Sequence, residues 1–246
     1  MKKILLFLPF LAFCFTSCNN SGDTMYSEGD SEYVEMVSRV GSIFSDEMYK
    51  YPIIPGTDAW YELKGIDDMQ LACMIPASWA PTASTQSLIL TIITNPVISQ
   101  THYYDKQLLQ FNRFLTQGAC MAADKVLQTR DDFADAWLAV YKKMSWETNT
   151  DVYSFVYDLA SMRHLLLNLS LADQKRMAKA IVEKQDGGKK CNPTVALGNL
   201  MLCAQYAPFL SFLADHPEYV DVFELGFGRI PTEEEVFGFA KGFVSE

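Results

Sequence analysis

Apolar side chains recur at three- and four-residue steps along nearly the whole chain, the period of a helix. Tyr33, Met36, Val37, Val40, Ile43, Phe44 and Met48 begin the series, with Asp30 or Ser31 as the expected N-cap. Tyr51-Pro52-Ile53-Ile54-Pro55-Gly56 interrupts it, because each proline disfavours helix at the residue before it. Thr57-Asp58 then caps a short helix carrying Trp60 and Leu63, and Asp67-Asp68 opens another that ends before Pro76. Ser87 to Pro96 is rich in Ile and Thr, a content that suits a buried strand. No second strand of similar quality is available to pair with it, and Ser84-Thr85 offer N-caps. A buried helix is expected there.

Further helices are predicted over Tyr104 to Leu115, Ala119 to Leu127, Asp131 to Lys143 and Asp151 to Asn168. Ser170-Leu171-Ala172-Asp173 is a capping box with Asp in place of Glu, and its helix stops at Gln185-Asp186-Gly187-Gly188. Asn192-Pro193 restarts a helix that runs through Cys203, and His216-Pro217 marks another break. Thr232 and Glu235 form a capping box at the start of the last helix. About ten short helices in succession predict an all-α fold, a multi-helix bundle or an irregular α-solenoid. No fixed repeat period supports the second.

The N-terminus has a different grammar. Lys2 and Lys3 precede an apolar run from Ile4 to Phe15, broken only by Pro9, and Thr16-Ser17-Cys18 leads into polar Asn19, Asn20, Ser21 and Gly22. That order is a secretory signal, and the run spans only about 18 Å as a helix, short of a bilayer core. Cys18 directly after Thr-Ser resembles a bacterial lipobox. The resemblance implies lipidation of Cys18, cleavage before it and, with Asn19 rather than aspartate next, delivery to the outer membrane. An ordinary signal-peptidase site fits less well, because Phe15 occupies a position where a small residue is wanted. Residues 1–17 are then the signal, 18–30 a polar flexible tether and 31–246 the helical domain.

Charge narrows the partners. The chain carries 20 basic and 30 acidic side chains, and loss of Lys2 and Lys3 leaves 18 against 30, a net charge of −12. Such a domain repels nucleic acid and anionic lipid head groups, so lipid must do the anchoring. With 49% apolar and 13% aromatic residues and no composition break after residue 31, one domain with a sizeable core is expected.

Catalytic signatures are missing. No His-Glu-x-x-His, Gly-x-Ser-x-Gly, Cys-x-x-Cys or Gly-x-Gly-x-x-Gly occurs, and Gly187-Gly188-Lys189-Lys190 lacks the remaining features of a phosphate-binding loop. His102, His164 and His216 are too far apart in sequence for a local metal pair, so neither a metal nor a cofactor is expected. His102 leads a loop with Tyr103 and Tyr104, His164 lies on a helix as a structural residue, and His216 reads as a helix end. Asp131, Asp132 and Asp135, with Asp124 upstream, form the densest carboxylate group. Acid–base or cation chemistry is conceivable there, but a helix N-terminus favours negative charge, and the cap reading is preferred. Cys73 and Cys120 sit among apolar neighbours as buried thiols, Cys191 and Cys203 are too far apart along one helix to pair, and no disulfide scaffold is expected. Among the tryptophans, Trp60 and Trp137 fall on regular helix and read as core, whereas Trp79 and Trp146 lie in less regular stretches and are candidate ligand contacts.

Pro55-Gly56-Thr57 with Trp60 and Leu63, then Cys73-Met74-Ile75-Pro76, Ser84-Thr85 with Leu88, and Pro96 form one further pattern. It resembles a region of uncharacterised bacterial secreted or lipid-anchored helical proteins. The resemblance spans residues 55–96 and implies a shared helical fold without an activity; its positions are turn-setters, caps and core anchors.

The expected protein is thus a membrane-anchored lipoprotein whose acidic helical domain binds a protein or glycan partner, facing the cell surface or the periplasm. Two alternatives stand beside it. One is a hydrolase of cell-envelope or other polymers with a site built from distant residues. The other is a ligand-binding subunit of an uptake system, contacting its ligand through Trp79, His102, Tyr103, Tyr104 and Trp146.

Overall fold

Two helical segments are buried on nearly every side, and the other helices are arranged to enclose them. In the computed structural model, residues 29–99, 107–184 and 193–246 are described. They form α1 (Gly29–Ile43), α2 (Asp58–Tyr61), α3 (Ile66–Ala72), α4 (Thr85–Ile93), α5 (Pro96–Ser99), α6 (Gln107–Thr116), α7 (Met121–Leu127) and α8 (Phe133–Lys143). There follow α9 (Trp146–Ala160), α10 (Arg163–Leu166), α11 (Leu171–Lys184), α12 (Pro193–Cys203), α13 (Ala207–Asp215), α14 (Val220–Leu225) and α15 (Glu233–Ser245). No strand occurs among the described residues. The protein is all-α, with more and shorter helices than the ten or so expected.

The Ile/Thr-rich segment is helical, as α4. Ser84 caps it by accepting from the Ser87 amide, and every residue of the helix except Gln86 is buried. α12 is buried from Pro193 to Met201. Each large aliphatic side chain so enclosed contributes roughly 1.5–3 kcal/mol relative to exposure. α4 packs against α5, α7, α8 and α9, while α12 packs against α9, α10, α11, α13, α14 and α15. α15 also lies on α11, and α1 on α9. A solenoid stacks each unit on its sequence neighbours alone. These distant pairings make a bundle.

The helix expected over Asp151 to Asn168 is two helices. α9 ends at Ala160, Met162 is extended (φ −80°, ψ 95°), and α10 begins at Arg163. The break has a polar cause. The Ser161 hydroxyl turns back to the Tyr157 carbonyl at 2.9 Å, and its own carbonyl accepts from Asn199 Nδ2 of α12 at 3.0 Å. α9 also starts earlier than expected, at Trp146, with a kink at Asn149 (φ −136°, ψ 38°) separating its first turn from the main body. The capping box of Thr232 and Glu235 is formed as predicted. Ser170 accepts from the Asp173 amide at 3.1 Å, so that N-cap is present as well. Asp30 and Ser31 already lie inside α1, so neither is its N-cap; the Gly187-Gly188-Lys189-Lys190 turn and Cys191 lie outside the described residues.

α8, α9 and α11 meet at an aromatic joint. The ring of Trp137 stacks on Tyr141 at 4.7 Å, and its Nε1 donates to the Val156 carbonyl at 2.8 Å. Lys184 Nζ donates to the carbonyls of Tyr141 and Met144 at 2.8 and 2.6 Å and lies 4.3 Å from the Tyr141 ring centre. Carbonyls at a helix C-terminus otherwise lack partners, so this cation closes α8 and ties it to α11.

Among the described residues no single helix is long and apolar enough to cross a membrane; α12 and α13 reach that length only as a pair bent by 113°.

Two glycines test the packing in opposite directions. A Cβ on Gly198 would stand 2.1 Å from the Phe223 ring, whereas one on Gly238, inside α15, would meet nothing within 4 Å. In urea denaturation, Gly198→Ala is expected to destabilise the fold by about 1–3 kcal/mol through overpacking. Gly238→Ala is expected to stabilise it by about 0.5–1 kcal/mol through helix propensity. A neutral or stabilising effect of Gly198→Ala would refute the α12–α14 close approach.

Candidate functional site

α3 rests on the core through half-buried Met69 and Ala72 and is pinned at both ends. Gly65 precedes it with φ 134°, a left-handed value that glycine tolerates, and Asp68 accepts from the Lys64 amide at 3.0 Å. Past its C-terminus the Cys73 carbonyl accepts from Asn95 Nδ2 at 3.0 Å, and the Ile75 amide donates to the Ala119 carbonyl at 2.8 Å. No residue of α3 itself is fully buried. The helix is therefore held as one wall of a cleft, and α6 with the turn after it forms the other.

Two adjoining hollows of about 370 and 280 Å³ make up this cleft and share Asp67, Gln70 and Gln117. Gln110, Arg113 and Phe114 complete the first; Leu71, Met74 and Met121 border the second. Gly118 makes room: a Cβ there would lie 2.4 Å from Gln70 Oε1 and 3.0 Å from Phe114 Cα. Among the described residues, the side chains of Asp67, Gln70, Gln110, Arg113 and Gln117 have neither a hydrogen-bond nor an ion-pair partner. Their donors and acceptors are open to a ligand. The lining combines amide, carboxylate and guanidinium groups with alkyl and thioether surface.

Trp79 and Trp146 do not line this groove. Both are half-buried against the core, and the Trp79 ring packs on Tyr49 at 5.3 Å between centres. His102, Tyr103, Tyr104 and Cys18 lie outside the described residues. His216 lies beside the rings of Phe212 and Tyr219, at 4.8 and 5.7 Å.

The carboxylate group disperses. Asp132 occupies the N-cap position of α8, but its side chain makes no cap bond and instead accepts from Thr85 Oγ1 of α4 at 2.5 Å. Asp135 pairs with Arg176 of α11. The acidic group thus stands at the N-terminus of α8 as expected, but Asp132 and Asp135 use their side chains to link helices rather than to cap, because partners on neighbouring elements lie within reach. Asp124 is buried, holding His164 Nε2 at 2.7 Å on one oxygen and Gln128 Nε2 at 2.7 Å on the other. This pair fastens α7 to α10. Among the described residues, no three His, Cys, Asp or Glu side chains come together as a metal site.

No known protein family, curated protein or solved structure matches the chain.

Cys73, Cys120 and Cys203 are free thiols. Burial pushes Cys73 up to about 12 and holds Cys120 well above the ordinary thiol range, with the nearby Cys73 and Asp124 adding to the effect on Cys120. Because the thiolate is the reactive form, both should resist a disulfide-exchange reagent in the native protein at about pH 8 and react rapidly once urea is added. Fast native-state labelling of Cys120 would contradict this burial.

Proposed function

We propose that the mature chain is the acidic helical binding domain of a lipid-anchored cell-envelope protein, held to the outer membrane through acylated Cys18. The observation that carries the binding role is the groove between α3 and α6, lined by five polar side chains without a hydrogen-bond or ion-pair partner among the described residues. The N-terminal order of basic residues, apolar run and Thr-Ser-Cys carries the anchor. A net charge of −12 after loss of residues 1–17 disfavours nucleic acid and anionic membrane as partners, leaving protein or glycan.

The hydrolase alternative draws on one feature, the hydrogen bond between buried Asp124 and half-buried His164. An acid that orients an imidazole is part of many nucleophilic sites, but the third member is wanting. Among the described residues, no hydroxyl or thiol is hydrogen-bonded to His164. The pair serves as an inter-helix tie.

The anchor is tested by Cys18→Ala. The variant is expected to lose label from a fed fatty-acid precursor and to leave the mature, membrane-retained pool. Normal acyl labelling and membrane retention in that variant would sink the lipid-anchor reading.

A further inference from the structure

We draw no further inference here: the strongest candidate, the exposed apolar patch of Leu225, Phe227 and Ile230 at the end of α14 and in the turn before α15, is an open surface, and nothing in the structure shows what covers it.

Discussion

A helix without a polar face can exist in water only as the centre of something else. α12 is such a helix, with every side chain from Pro193 to Met201 buried. Its length leaves it unable to cross a bilayer alone, so it must be covered by protein. Six helices, α9 to α11 and α13 to α15, supply that cover. α4 makes the same demand in the N-terminal half, and α8 and α9 answer it. α9 touches both buried helices. Its main body is correspondingly apolar, with Tyr153, Phe155, Val156, Tyr157 and Leu159 fully enclosed.

Apolar burial is non-directional and does not by itself choose a register between helices. Hydrogen-bonded polar groups inside the core do that. Asn95 donates to the Tyr51 hydroxyl at 2.9 Å and to the Cys73 carbonyl at 3.0 Å, and its own Oδ1 accepts from the Val97 amide at 3.0 Å. Tyr51 passes the chain on to the Thr91 carbonyl at 3.1 Å. One side chain thus ties the extended stretch after α1, the end of α3 and the end of α4. Asn199 and Ser161 do the same between α12 and the break after α9, and Asp124 with His164 between α7 and α10. Leaving any of these polar groups unpaired in a dry interior costs about 1–3 kcal/mol, so each tie penalises alternative packings.

The groove inherits its shape from those ties. α3 buries no residue completely, yet its C-terminal end is fixed to Asn95 and, through Ile75, to Ala119. Helices with few buried contacts lie toward the low-stability end of a fold. Here that property belongs to the wall that carries the exposed apolar side chains, while the opposite wall, α6, is seated on the core through Phe111, Phe114 and Leu115.

The sequence by itself determined the class of this fold and many of its punctuation marks. Helical periodicity, the Ser84 cap on α4 and the Thr232–Glu235 box on α15 are all interactions between residues three or four apart, so they are written locally and can be read locally. The same holds for the excess of acidic charge and for the burial that disarms Cys73 and Cys120. What only the tertiary structure decided is which groups meet. Asp124 and His164 are 40 residues apart, and Asp135 reaches Arg176 across 41. Asp132 bonds Thr85 instead of its own helix, and Ser161 ends a helix because Asn199 of α12 stands opposite. The groove is of this second kind. Its glutamines carry no charge and follow no spacing rule, and they share one cleft only because the packing of α3 beside α6 brings two separate stretches of chain together.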